Sequence, residues 1–180
     1  MSKHLSVRRM TRADVPYIVN YWQNASKEQL LKMGALIEKV PSEKVMTSFL
    51  ESQILLPDVK KESFCTIWLL EGTPVGHCNV NTILYGKQAN MHLHVWKPLE
   101  RNKGYGVQFV KKSLIYFFKD LNLQNVICEP YAFNKAPNKT LEKVGFSFQK
   151  EYTTIPGSLN FEQVVKLWSL SNDDFRQRIL

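Results

Sequence analysis

Apolar residues recur along this chain with two different periods, and the places where the period changes divide it into elements. Residues 4–10 alternate as an extended segment. From Thr11 the spacing becomes helical: Val15, Ile18, Val19 and Trp22 fall on one face, and Thr11 followed by Asp14 resembles a capping box. Further helical stretches are predicted over residues 27–33 and, after Pro41 and Ser42, over residues 43–54. Two runs rich in β-branched and aromatic residues, 64–70 and 75–84, flank Glu71-Gly72-Thr73-Pro74, whose turn chemistry predicts a hairpin. Residues 90–96 alternate again, as a third strand of the same meander.

The second half repeats strand and helix in turn. Val107, Val110, Leu114, Phe117 and Leu121 keep helical spacing, and Asn122 is a reasonable stop. A short strand over residues 124–129 ends at Pro130. The next helix is predicted over residues 135–144, with Pro137 tolerated in the first turn and Gly145 closing it. Two final strands, 146–155 and 161–170, flank the loop 156–160, and a short polar tail follows. The expected fold is a mixed α/β one, with a largely antiparallel central sheet and helices on both faces. No repeat, low-complexity tract or linker divides the 180 residues, so a single domain over 1–180 is expected.

Composition narrows the function classes. No run approaches the roughly 18 apolar residues of a membrane helix, and the amino terminus lacks a signal-peptide stretch, so a cytoplasmic protein without membrane partners is expected. Cys65, Cys78 and Cys128 lie far apart in apolar segments, as buried reduced thiols do. A formal charge of +8 suits nucleic acid, but the cations are scattered and no basic-aromatic motif accompanies them. An anionic small molecule suits that charge equally well.

One junction carries candidate chemistry. Arg101-Asn102-Lys103-Gly104-Tyr105-Gly106 stands between the run Met91 to Trp96 and the helix after it. A glycine-rich turn that opens a helix leaves backbone N–H groups pointing outward with the positive end of the helix dipole behind them, a phosphate-binding arrangement. The glycines allow close approach, and Arg101 and Lys103 add mobile charge. The dinucleotide fingerprint would need a further glycine where Phe109 stands, and the Walker pattern is absent.

Arg101-x-x-Gly104-x-Gly106, then Asn134, Asn138 and Leu141-Glu142-Lys143-Val144-Gly145-Phe146, resemble the signature of the GNAT superfamily of acyl-CoA-dependent N-acyltransferases. The resemblance implies a GNAT-like sheet with strands four and five splayed, and acetyl-CoA as co-substrate. It implies that the coenzyme pyrophosphate rests on the amides of Asn102, Lys103, Gly104, Tyr105, Gly106 and Val107, and that the pantetheine arm pairs with the edge His94, Val95 and Trp96. Asn134 and Asn138 either bond the pantetheine or hold the helix start, where Asn134 is also a fitting N-cap. Lys135 and Lys139 are an accessory candidate for the coenzyme's 3′-phosphate, on a stripe that otherwise reads as a solvated helix face.

The implied reaction moves an acetyl group to a primary amine, a protein N-terminus or a small amine, by direct transfer in a ternary complex. An ammonium must lose a proton before it attacks, and Glu129, five residues before Asn134, has the spacing of the glutamate base in bacterial ribosomal-protein N-terminal acetyltransferases. Its other role is a surface ion pair. The family's usual acid positions hold Leu141 and Pro137, which leaves Tyr131, Tyr152 or water to protonate the departing thiolate. His77, His92 and His94 are packed strand residues, with proton relay the alternative and a metal site disfavoured because no fourth ligand is evident. The amine pocket is expected from residues 21–39 and 154–161, with Tyr21, Trp22, Tyr85 and Trp96 as candidate lining. A monomer and a homodimer fit equally. Two rivals stand beside this reading: a catalytically silent acyl-CoA-binding module, and a nucleic-acid-binding protein.

Overall fold

The structure is a computed structural model that describes residues 3–96 and 104–178. Its strands are β1 (Leu5–Arg9), β2 (Ser63–Leu70), β3 (Thr73–Leu84), β4 (Gln88–Val95), β5 (Asn125–Cys128), β6 (Ser147–Thr154) and β7 (Gln163–Ser171). They form one sheet in the order β1-β2-β3-β4-β5-β7-β6, antiparallel throughout except where β4 runs parallel to β5. The helices are α1 (Val15–Gln23), α2 (Lys27–Lys32), α3 (Glu43–Leu55), α4 (Tyr105–Asp120), α5 (Lys135–Val144) and α6 (Asn172–Arg178).

Local chemistry sets the helix ends. The Asp14 carboxylate accepts from both the N–H and the hydroxyl of Thr11, each at 2.8 Å, which holds the turn that leads into α1. Ser26 and Ser42 cap α2 and α3, their hydroxyls accepting from the N–H groups of Gln29 and Val45. Asn122, in the left-handed region at φ 51°, follows the end of α4, and Gly145 at φ 110° closes α5.

Strand alternation sends successive side chains to opposite faces, so the sheet carries a core on each side. Trp68, Val80, Met91, Phe109, Leu114, Phe117 and Leu141 pack between the sheet and α4 and α5. Ile67 and Cys65 face the other way and pack with Ile18, Val19 and Leu50 of α1 and α3. Ser113 of α4 fixes the docking of its helix, its hydroxyl oxygen accepting from Thr66 Oγ1 and Trp68 Nε1, both at 2.9 Å. The three cysteines are buried and free.

One expectation fails outright. The residues after β7 are not a polar tail but α6, started where the Ser171 hydroxyl accepts from the Asp174 N–H at 3.0 Å. Phe175 is 2% exposed and lies 4.9 Å, ring to ring, from Phe118 of α4. Within α6 Phe175 is the one apolar residue and sets up no period, and the helix is held where α4 offers Phe175 a place to bury.

A split sheet and a candidate active site

The parallel ladder between β4 and β5 is short. It pairs Gln88, Ala89 and Asn90 with Asn125, Val126 and Ile127, after which β4 continues to Val95 while β5 stays with β7 through Cys128 opposite Trp168. At the point of parting the Cys128 thiol donates to the Met91 carbonyl at 3.0 Å. Burial pushes that thiol up to about 12, which keeps its proton in place for the bond. Pro130 then follows with no N–H to give, while its carbonyl still accepts from Lys166 of β7 at 3.2 Å. The two strands diverge around a cleft lined by Leu93, His94, Glu129, Tyr131, Asn134 and Asn160, among others.

The direction of the β4 backbone corrects one predicted contact. Trp96 donates its N–H to Val75 at 2.9 Å, so its amide belongs to the β3 side. Main-chain groups alternate between the two sides of a strand. The same alternation turns the His94 amide to β3 and the Met91, Leu93 and Val95 backbones to the cleft, as the Met91 carbonyl demonstrates. Of the expected edge His94, Val95 and Trp96, the backbone facing the cleft is that of Val95, with Leu93 before it.

At the helix start, Gly104 takes φ 77°, a conformation that other L residues adopt only with strain. The first amides of α4, Tyr105, Gly106 and Val107, have no partner within the helix. Gly106 is not demanded by the fold: a Cβ there would meet Thr140 of α5 at 3.8 Å, ordinary van der Waals contact. Arg101, Asn102 and Lys103 lie outside the described residues.

Around the lip of the cleft the structure brings together residues far apart in sequence. Tyr152 of β6 donates its hydroxyl to Glu129 Oε1. That bond, with burial and the carboxylate charge added, pushes the tyrosine up to about 12, so it remains a donor. Lys150 lies on the same strand with its Nζ 4.5 Å from the Tyr152 ring centre. Glu129 makes no ion pair among the described residues, although a surface ion pair is its expected alternative role. The observed partner is Tyr152, while Phe133 is 72% exposed and packs only edge-on against Tyr131. Tyr131 lines the cleft and forms an isolated bridge with Val165.

The two asparagines separate. Asn134 occupies the N-cap position of α5 but makes no side-chain capping bond, and it lines the cleft. Asn138 is 8% exposed; its Nδ2 donates to the Tyr131 and Asn134 carbonyls at 3.1 and 2.8 Å, and its Oδ1 accepts from Trp168 Nε1 at 2.9 Å. Both amide protons are spent on the loop before α5, so Asn138 holds the helix start, one of the two roles expected for it. Leu141 is fully buried in the core and Pro137 lines the cleft, and neither carries a proton to give. Lys135, Lys139 and Lys143 are exposed.

The histidines are built into a packed aromatic group. His77 and His94, directly opposite on β3 and β4, stack with ring centres 4.6 Å apart. His77 Nδ1 accepts from Trp96 Nε1 at 2.7 Å, and burial holds its pKa down to about 3. Tyr21 and Trp22 meet the His94 ring edge-on. Among the described residues no group of three or more His, Cys, Asp or Glu is placed to hold a metal ion. Tyr85 sits in the β3–β4 turn, at the opposite end of β4 from the cleft, which removes it from the candidate lining.

The two segments expected on the amine side are joined. Leu36 donates its N–H to Leu159 at 2.9 Å, Asn160 Nδ2 and Gln163 Nε2 both donate to the Gly34 carbonyl at 2.8 Å, and Lys39 Nζ reaches the Asn160 carbonyl at 2.6 Å. Gln163 Oε1, buried without a hydrogen-bond partner, lies where a Gly34 Cβ would be, 2.0 Å from that position. Gly34, at φ 77°, is therefore required twice over.

A mixed sheet parted between its parallel strands, with a glycine turn opening the next helix, is the architecture of an acetyltransferase domain, and the sequence places the chain in that class. Residues 4–147 match the family described as acetyltransferase (GNAT) domain, and the chain belongs to that family. No curated protein matches it. Among solved structures it is similar in fold to the ribosomal-protein alpha-N-acetyltransferase RimL in complex with coenzyme A: 15% identity, TM-score 0.76, 96% of this chain and 97% of that one covered. It is similar also to spermidine N-acetyltransferase from Vibrio cholerae in complex with coenzyme A and spermine, at 17% identity and TM-score 0.77 over 96% of this chain and 98% of that one. The aminoglycoside acetyltransferase AAC(6')-Ib, in complex with coenzyme A and kanamycin, matches at 18% identity and TM-score 0.72, covering 97% and 99%. Among the described residues no helix is long and apolar enough to cross a membrane.

Proposed function

We propose that this chain, acting as one acetyltransferase domain, moves an acetyl group from acetyl-CoA to a primary amine within a ternary complex. The observation that carries the reading is the parted pair β4 and β5, with Glu129 at one side of the opening and the glycine start of α4 nearby. The pyrophosphate is held by the amides of Gly104, Tyr105, Gly106 and Val107, helped by Arg101, Asn102 and Lys103. The pantetheine arm follows the backbone at Leu93 and Val95, and Asn134 turns its unspent amide to it. Lys135 and Lys139 meet the 3′-phosphate.

In the reaction the acceptor ammonium gives a proton to Glu129, directly or through one water. The freed lone pair attacks the thioester carbon, the C–S bond breaks, and the coenzyme leaves as a thiolate, whose thiol pKa near 8.5 lets it depart first and then take up the second proton that the new amide nitrogen loses. Tyr152 acts through Glu129: by occupying Oε1 it leaves Oε2 to face the amine. Tyr131 is the hydroxyl nearest the role of acid, since Leu141 is sealed in the core. Three buried unpaired thiols fit a reducing, cytoplasmic setting.

Leu141 and Pro137 favour a second reading, a coenzyme-binding module without turnover. Calorimetric titration with acetyl-CoA and a thiol-release assay over a panel of amines separate the two. Binding with release supports the transferase, binding without release supports the silent module, and no binding at hundreds of micromolar ends both.

A further inference from the structure

Resting on the transferase reading, the charge arrangement assigns the acceptor class: we infer that the substrate presents one amine on a body that is neutral or acidic, a peptide α-amine rather than a polycation. A spermidine or kanamycin molecule carries several ammonium groups, and each one drawn out of water needs a carboxylate or carbonyl partner. Among the described residues the cleft holds one carboxylate, Glu129, and one of its oxygens is already taken by Tyr152. The remaining walls are largely apolar or neutral, with Met33, Pro130, Pro156 and Asn160 among them.

The charges at the rim point the same way. Strand alternation puts Lys150 on the same face of β6 as Tyr152, the residue whose hydroxyl donates to Glu129. Lys39, on the other segment, is pinned to the Asn160 carbonyl at the cleft wall. None of Lys39, Lys150, Glu38 and Glu162 lines the cleft itself and all four are exposed; the two lysines touch Asn160 of the wall and Tyr152, the donor to Glu129, while Glu38 and Glu162 make no such contact among the described residues. Two cations therefore flank a site with one free carboxylate oxygen, which matches a single ammonium followed by acidic groups and repels a second ammonium. The chain's formal charge of +8 adds to that repulsion at long range.

The test compares four amines with acetyl-CoA and the full chain: a short peptide with acidic residues after a free N-terminus, the same peptide with lysines there, spermidine and kanamycin. Two rim ion pairs of the exposed kind, about 0.2–1 kcal/mol each, predict kcat/KM for the acidic peptide roughly two- to thirtyfold above the lysine peptide. The double variant Lys39→Glu with Lys150→Glu should abolish or invert that order. Titration of the same amines into the coenzyme-A-loaded protein must give the same ranking, so a protein that binds but does not transfer still answers. Spermidine, kanamycin or the lysine peptide matching the acidic peptide, or no binding of the acidic peptide, overturns the inference. Failure to bind coenzyme A at all is a different result and removes the transferase reading beneath it.

Discussion

The two sides of the cleft are built on different principles. The side proposed for the coenzyme consists of backbone: β4 beyond its short ladder with β5, and the first turn of α4. The side proposed for the amine consists of side chains and long-range loop contacts, Gly34 against Gln163 and Lys39 against Asn160, 129 and 121 residues apart. A backbone site tolerates wide change in sequence as long as its glycines stay. A site made of loop contacts changes with every substitution in them. The three solved structures named above, similar in fold at 15 to 18% identity, are each in complex with coenzyme A, one of them also with spermine and another with kanamycin.

The largest effect should come where the two sides meet. Glu129→Gln keeps the bond from Tyr152 but removes the proton acceptor, so kcat should fall about 10²- to 10⁴-fold, the usual worth of a general base. Coenzyme affinity by calorimetry should stay within twofold. A thiol-release rate equal to that of the unaltered chain would dismiss Glu129 from the chemistry.

Next comes the amine side alone. Gly34→Ala forces a Cβ to within 2.0 Å of Gln163 Oε1 at a left-handed backbone position, and should cost roughly 2 kcal/mol or more in urea unfolding. In the molecules that remain folded, KM for the amine should rise while coenzyme affinity holds. Equal losses on both sides would erase the distinction between them.

A pH effect of similar size lies in the aromatic group behind β4. His77 stays neutral in the fold down to about 3, whereas in the unfolded chain it takes a proton near 6.5. The unfolded state therefore binds more protons between those values, and stability falls as pH drops through that window. From pH 6.5 to 5 the loss should approach 2 kcal/mol, at about 1.4 kcal/mol per unit. His77→Asn, which still offers an acceptor to Trp96, should remove the His77 share of this slope and leave that of His92, which burial holds down to about 4. A slope unchanged by the substitution would assign the effect elsewhere.

The smallest effect sharpens the coenzyme side. Gly106→Ala meets only Thr140 at 3.8 Å and improves helix propensity, so the melting temperature should hold or rise slightly. If the pyrophosphate lies against this turn, coenzyme affinity should nonetheless fall about tenfold, because the methyl stands where the ligand approaches. Stability and affinity moving together would mean that the glycine serves the fold after all.

Local patterns fixed most of the elements in advance. The helix over 135–144, the hairpin around Gly72 and the turn at Asn122 rest on periodicity, turn residues and caps, all settled within about ten residues of chain. Gly104 was legible as a turn residue for the same reason, and it takes the left-handed position that glycine adopts most readily. What the sequence did not disclose depends on register and on burial by distant partners. Alternation predicts that a strand has two sides, yet only the bond from Trp96 to Val75 decides that Val95 rather than Trp96 turns its amide to the cleft. Asn138 carries the same amide as Asn134, and Trp168, thirty residues on, is what commits it to the scaffold. Tyr152 reaches Glu129 across 23 residues only because β7 lies between their strands, and Phe175 makes a helix of a polar tail only because Phe118 is there to cover it. Short-range chemistry is carried by neighbouring residues and can be read from their order. The pairing of a side chain with one far along the chain is chosen by the competition of whole surfaces for burial, and that is decided only when the chain has folded.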